Sequence, residues 1–379
     1  MAASITIDLQ KLTDNARQMV AACAARGVTL LGVTKLTCGM PQVAQALLDG
    51  GVSQLGDSRL ENIQRLQRNG VDCPLMLVRI PALSEVNEIV QTVDVSLNSE
   101  LRLITALSNA ALDHKRVHQI IIMVELGDRR EGVNPEDFIP LCDRVAALAG
   151  VRIVGVGTNL GCLGGVLPSA KNLGRLVDCA DAFEQRYQRK LTYVSGGNSG
   201  SLALLMSGQL PAGINHFRIG SGLLLGRNSL HDAPWPGMHT DAFRLKSEVI
   251  EVKRKPSKPE GEIGLDAFGV KPAFIDQGEQ TRSIVSLGRL DVNPAELRPI
   301  DPGVTIIGAS SDHLVLDMSH ARSCQIGDQL EFDMGYPAVL QAMVSPYVKK
   351  KLIVSRHTVN CTDVIPLRRN VELLAGEYA

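Results

Sequence analysis

The sequence predicts an α/β chain with an N-terminal (β/α)8 TIM barrel over residues 1–235 and a C-terminal mainly β domain over residues 236–379. Three observations predict it. Short apolar runs alternate with longer amphipathic ones eight times. After Asp241 the rhythm changes to alternating runs punctuated by Gly and Pro. The chain is 379 residues long with 45% hydrophobic residues, too long for one small domain and rich enough for a sizeable core.

The eight apolar runs are TLLGVTK (29–35), VSQLG (52–56), LMLVRI (75–80), VDVSL (93–97), QIIIMVEL (119–126), VRIVGVG (151–157), LTYVS (191–195) and NHFRI (215–219). Each is short and β-branched with little polar alternation, as expected of strands buried on both faces. An open doubly wound sheet would show the same rhythm, but a count of eight favours closure. Between the runs lie helix signals. Ser58 with Glu61 reads as a capping box, Pro41, Pro81, Pro135 and Pro168 sit where helices begin, and Asn98 or Ser99 reads as the cap of LRLITAL. In the second domain RLKSEVIEVKRK, RSIVSLGRL, VTIIGASSDHLVLDMS and DQLEFDMG read as strands, with turns at KPSKPEG and IDPG. Residues 346–379 read as closing strands and a tail.

Composition narrows the function classes. A formal charge of −1 leaves no electrostatic footprint for nucleic acid or anionic membrane, and 3% aromatics leaves no base-stacking platform. No stretch reaches transmembrane length, and the first residues lack a basic start with an apolar core, so neither a membrane span nor a secretory signal is expected. Cys23, Cys38, Cys73, Cys142, Cys162, Cys179, Cys324 and Cys361 are scattered singly with no CxxC pair. No metal site is expected, and reduced buried thiols in a cytoplasmic protein fit best.

In barrels of this kind the chemistry sits at the C-terminal ends of the strands. Those ends carry Lys35 after the first run, GDRREG with Arg129 and Arg130 after the fifth, and TNLGCLGG after the sixth. SGGNSGS follows the seventh, and Arg218 with IGSGLLLG the eighth. A lysine ending an apolar strand is either a snorkelling or ion-paired residue, or an amine kept reactive by desolvation for Schiff-base chemistry. The glycine-rich loops after the last two runs read as ordinary turns or as a phosphate cradle, with hydroxyls at Ser199 and Ser201 and exposed amides at Gly220 and Ser221. An amine facing a phosphate cradle across one mouth is the pair of anchors that pyridoxal 5'-phosphate needs.

These segments, GVTKL, GTNLGCLGGV, SGGNSGS and FRIGSGLLLG, together resemble the alanine racemase-like, fold-type III pyridoxal-phosphate enzymes. The resemblance continues through EIGLDAFG, IGASSDHLVLD and MGYPAVLQAMVSPYV, covering nearly the whole chain in order, and the wording is closest to the ornithine racemase branch. It implies Lys35 as the Schiff-base lysine and one of two bases at the α-carbon, and Asn198, Ser199, Gly220 and Ser221 as the phosphate loop. It further implies Tyr336 reaching the phosphate, Arg218 at the pyridine nitrogen and Arg130 near the substrate. A guanidinium cannot give up its proton at neutral pH, so an arginine there leaves the nitrogen unprotonated and restrains side reactions such as transamination.

Racemisation needs a second base on the opposite face. The family supplies a tyrosine, but EIGLDAFG has none. Asp266, with a pKa that burial would raise, is the nearest titratable replacement. It is otherwise a partner for a distal substrate ammonium, or a turn cap. Asp312 in ASSDHL is a second candidate for that ammonium, and His313 beside it is read as facing the opposite way. The resemblance implies a homodimer with shared active sites and an amino-acid substrate, ornithine first, with lysine, alanine or another behind it. Aldolase or decarboxylase chemistry on the same cofactor, and a non-catalytic role in managing its supply, are the other readings.

Overall fold

The first strand in sequence, β1 (Ala3–Asp8), belongs to the second of two units and is described with it. The computed structural model describes residues 2–354 and 357–360. After α1 (Leu9–Ala24), eight strands run in parallel register: β2 (Thr29–Val33), β3 (Gln54–Asp57), β4 (Leu75–Leu77), β5 (Val95–Asn98), β6 (His118–Met123), β7 (Val151–Gly157), β8 (Tyr193–Ser195) and β9 (His216–Ile219). β9 pairs back to β2, Leu31 opposite Arg218, so the sheet closes and leaves no edge. Each of the eight predicted runs supplies one strand.

Alternation along these strands divides their side chains between the barrel interior and the helix layer. Leu31, Val33, Met76, Val95, Leu97, Ile121, Met123 and Val154 form one buried cluster, with Tyr193 packed against it. Burying each such aliphatic side chain contributes about 1.5–3 kcal/mol. Gly155 has to lack a side chain here, because a Cβ would lie 2.7 Å from that of Tyr193. Leu30, Leu55, Ile120 and Ile122 face outward and are buried under the helices.

Those helices are α2 (Pro41–Asp49), α3 (Leu60–Arg68), α4 (Val86–Thr92), α5 (Leu101–Asp113), α6 (Pro135–Ala146), α7 (Ala170–Tyr187), α8 (Leu202–Met206) and α9 (Ser221–Leu224). Pro41 and Pro135 sit in the first turn of α2 and α6 as expected. Pro168 precedes a true cap: Ser169 Oγ accepts from Asn172 N at 3.2 Å, and Asn172 Oδ1 accepts from Ser169 N at 2.8 Å. Pro81 leads into a short 3-10 turn before α4, where Glu85 Oε2 accepts from Ala82 N. Two expected caps do not form. α3 starts from Arg59, not from Ser58, because Asp57 Oδ1 takes the Arg59 N–H instead. α5 starts from Glu100, since Asn98 ends β5 and donates to Ser96 Oγ and O. Because α9 is only four residues long, α1 covers that flank: buried Asn15 donates to Leu223 O and His239 O and accepts from His239 N.

Among the described residues, the second unit takes the chain from Asp241 and also the first strand, so the division falls after Thr240 rather than at the expected 235/236 and β1 crosses it. Its strands are β1, β10 (Phe243–Pro256), β11 (Glu279–Val285), β12 (Leu297–Pro299), β13 (Thr305–Ala309), β14 (Leu314–Asp317), β15 (Gln329–Met334), β16 (Lys349–Val354) and β17 (His357–Asn360). β1 lies between β10, antiparallel, and β16, parallel, and buries Ile5 and Ile7. Its alternating SITID pattern needs neighbours on both sides, and the chain end alone does not announce which unit supplies them. β10 uses its first half to pair with β1 and β15 and, past an irregularity at Val249/Glu251, its second half to pair with β11. One helix, α10 (Tyr336–Val344), starts at Gly335 with Pro337 in its first turn. The expected closing strands are β16 and β17; Cys361 and the rest of the expected tail lie outside the described residues.

Candidate active site

Parallel closure sets the C-terminal ends of all eight strands on one rim, so residues distant in sequence meet there. Lys35 stands on a 3-10 turn, residues Lys35–Thr37, directly after β2. That turn is pinned from below. Thr34 O accepts from Thr37 N and Thr37 Oγ1, each at 3.0 Å, and Thr34 Oγ1 donates to Asp57 Oδ2 at 2.7 Å. Asp57 ends β3, fully buried, and its other oxygen accepts from Asn62 Nδ2 at 2.9 Å and Arg59 N at 3.0 Å. Burial raises its carboxyl above the usual range against these hydrogen bonds, which lower it.

The Lys35 side chain is exposed on the mouth rather than desolvated by the barrel, because it lies one residue beyond the buried Thr34. Its ammonium makes no ion pair or hydrogen bond among the described residues, which removes the ion-paired reading. Arg218, by contrast, is a buried guanidinium on β9. Nη1 donates to Ser195 Oγ and Nη2 donates to Thr158 O at 2.6 Å; no carboxylate pairs with it among the described residues. Burial pulls it down to about 10, with the Glu131 carboxylate opposing and Arg130 reinforcing. A buried cation held only by neutral groups, with its end toward the rim, suits a neutral ring nitrogen that accepts a hydrogen bond.

The two glycine-rich loops are tied together. Ser199 Oγ accepts from Gly222 N at 3.0 Å, joining the loop after β8 to α9. Asn198 Oδ1 accepts from Gly200 N at 2.8 Å, and its Nδ2 donates to Leu160 O at 2.8 Å in the loop after β7. Ser201 Oγ donates to Gly196 O at 2.7 Å, so this hydroxyl serves its own loop and not a ligand. Gly197 holds φ +116°, and a Cβ there would come 2.7 Å from Ser201 Oγ. Gly220 precedes α9 and Ser221 begins it. A joined pair of small-residue loops, an unpaired lysine and a carboxylate-free arginine on one rim fit pyridoxal phosphate; Asn198, Ser199, Gly220 and Ser221 are the residues that would hold its phosphate.

Arg130 sits on the same rim, after β6, gripped by adjacent Glu131 through two hydrogen bonds. Nη1 also lies 2.8 Å from Cys162 Sγ. Beneath it Asp128 is buried; burial alone would raise its carboxyl, but backbone N–H groups of Leu163, Cys162, Val166 and Gly164 hold it below the usual range. Of the seven cysteines among the described residues, Cys23, Cys142 and Cys179 are buried as expected, whereas Cys162 is exposed.

Three expected site residues stand on the β unit. Asp266 is in the loop between β10 and β11, where its Oδ1 accepts from Phe268 N and Val270 N, each at 2.9 Å. The Val270 bond, foremost, holds its carboxyl below the ordinary range, the opposite direction from the expected rise. Asp312 is exposed in the turn between β13 and β14, closed by Ser310 N donating to His313 O at 2.9 Å. Because Asp312 and His313 occupy a turn, strand alternation does not set their directions. Tyr336 opens α10 and is half-buried.

Sequence reasoning missed Thr158, Ser195 and His216. The signal for His216 was present in NHFRI, where His216 and Arg218 alternate onto one face, opposite apolar Phe217 and Ile219. His216 is fully buried, its Nδ1 lies 2.8 Å from Ser195 Oγ, and Tyr193 packs edge-on at 4.9 Å between ring centroids.

A family model described as the alanine racemase N-terminal domain matches residues 7–228. The ornithine racemase of Acetoanaerobium sticklandii is 42% identical over 351 residues, covering 92% of this chain and 99% of that protein. The lysine racemase of Thermotoga maritima is 38% identical over 346 residues, 91% of this chain and 97% of that one. Among solved structures, the alanine racemase of Bacillus anthracis superposes with a TM-score of 0.71 at 14% identity, covering 96% of this chain and 99% of that chain. The D-threonine aldolase of Filomicrobium marinum reaches 0.69 at 16%, covering 94% and 92%. These two show the shared fold alone, so fold does not choose between racemase and aldolase chemistry. With the family's barrel matched along residues 7–228 and a relative 42% identical over nearly its full length, the chain belongs to the alanine racemase family.

Proposed function

We propose that this protein is a pyridoxal-phosphate-dependent amino-acid racemase whose preferred substrate is ornithine. The observation that carries the reading is the pairing, on one barrel rim, of an unpaired Lys35 with a buried Arg218 that has no carboxylate partner. Bound pyridoxal phosphate would supply the electron sink that makes an α-proton removable. The relatives support the reaction and narrow the substrate: both that match nearly the full length are named for racemising basic amino acids.

In this reading Lys35 holds the cofactor covalently and moves a proton at one face of the α-carbon. Asn198, Ser199, Gly220 and Ser221 receive the phosphate together with Tyr336. Arg218 donates to the ring nitrogen and, keeping its own proton at neutral pH, leaves that nitrogen neutral. Arg130, restrained by Glu131, lies at the substrate end. Asp266 is the proposed second base. Its backbone donors make it a weak one, which equally suits it to hold a distal ammonium, a role shared with Asp312. With groups from the β unit serving a second copy's barrel, the protein would be a homodimer with shared active sites, and the reading takes it as cytoplasmic.

Chiral chromatography after incubation of L-ornithine, L-lysine and L-alanine in parallel with the loaded protein tests the assignment. D-ornithine forming fastest supports it. D-alanine alone would overturn the substrate, and CO₂ release without any D-product would replace racemisation with decarboxylation. Sedimentation at the assay concentration checks the dimer, and a monomer with full activity would exclude shared sites.

A further inference from the structure

The polar groups inside the barrel below the rim are ordered by what each can donate. A guanidinium only donates, so the bond from Arg218 Nη1 uses a lone pair of Ser195 Oγ. The second neighbour of that hydroxyl is His216 Nδ1 at 2.8 Å. Were the imidazole proton on Nδ1, Ser195 would accept twice and its own proton would lack an acceptor. His216 Nε2, which is buried with no partner, would then be a second orphan. With the serine proton directed to Nδ1, the Nε2–H is the only orphan left, and buried polar groups favour the arrangement that leaves fewest unpaired. Burial, reinforced by the neighbouring Arg218 charge, pushes His216 down to about 3, so the ring is neutral. Tyr193 packs against it and carries no charge.

Resting on the racemase reading above, we propose that Ser195 and His216 are positioning residues: a one-way chain, Arg218 to Ser195 to His216, that fixes the Arg218 guanidinium for the ring nitrogen of the cofactor. His216 is the terminal acceptor, and its role is to make Ser195 an obligate acceptor toward Arg218. Thr158 O holds the second guanidinium nitrogen in the same way. The ring nitrogen then meets a donor whose direction is set by neutral groups and does not change when other ionisable residues titrate.

Two measurements test this. In the cofactor-free full chain labelled with 15N-histidine, the His216 resonances, assigned by their loss in His216→Asn, are expected to show a proton on Nε2 and none on Nδ1, unchanged from pH 8 to pH 5. Ser195→Ala is expected to shift the Nδ1 signal. A proton on Nδ1, or a ring that titrates in that range, overturns the chain whether or not the protein is a racemase. The second measurement compares variants in pyridoxal-phosphate affinity, read by absorbance, and in turnover. Ser195→Ala and His216→Leu are expected to weaken affinity and lower kcat by about tenfold with KM nearly unchanged. His216→Asn, whose amide oxygen replaces the acceptor, is expected to recover most of both. Equal behaviour of the Asn and Leu variants would reduce His216 to a packing residue and overturn the proposal.

Discussion

Lys35 and Asp57 illustrate how the proposed Schiff-base lysine depends on a second residue buried beneath it. Asp57 accepts hydrogen bonds from Thr34, Asn62 and Arg59, and these fix the turn on which Lys35 stands. Replacing Lys35 with Ala is expected to lower racemisation by about 10³-fold or more, since covalent attachment and one proton transfer go together. Chiral chromatography reads that loss, and the far-UV spectrum should be unchanged because the side chain is exposed. Asp57→Ala has a different signature. It strands buried donors, each costing about 1–3 kcal/mol, so the denaturation midpoint falls along with activity. Lys35 was legible in the sequence because a lysine closing an apolar strand is unusual. Asp57 was not, because its role depends on the turn after β2, which the parallel pairing of β2 with β3 brings within 2.7 Å.

At the scale of elements, the apolar runs and their count carried the barrel, and each run became a strand. The caps fared less well. Ser58 and Asn98 have the right residue types, but Asp57 and strand β5 claim the backbone and the side chain first. Propensity at a helix start is a weak signal where a buried carboxylate competes for the same N–H. The loop after β8 carries a prediction of its own. Gly197→Ala would force an L-residue into φ +116° and push a Cβ against Ser201 Oγ, displacing Asn198 and Ser199. Pyridoxal-phosphate affinity, measured by absorbance titration, is expected to fall about tenfold, corresponding to about 1.4 kcal/mol of strain released by letting the loop go. Unchanged affinity would place the phosphate elsewhere.

For the whole molecule, two neutral buried histidines tie stability to pH. Burial lowers His118 to about 4 and His216 to about 3, both below the ordinary value of 6.5. The unfolded chain therefore binds protons that the folded chain refuses as pH falls below 6.5, and stability drops until the folded values are reached. Urea midpoints are expected to be flat above pH 7 and to decrease between pH 6.5 and 4; a midpoint rising over that interval would contradict the burial of both rings. The division into units was the part of the whole that the sequence announced least, because β1 joins a sheet whose other strands begin at Phe243. The β-domain candidates, Asp266 and Asp312, were reached only through the family resemblance, since nothing in their own segments distinguishes a ligand from a turn residue. The central claim, that Lys35 and bound pyridoxal phosphate exchange the α-proton of ornithine, is tested most directly by incubating L-ornithine with the loaded protein in D₂O. The account predicts D-ornithine deuterated at the α-carbon, absent with Lys35→Ala. Ornithine that keeps its hydrogen and its configuration, while the protein binds the cofactor, would contradict it.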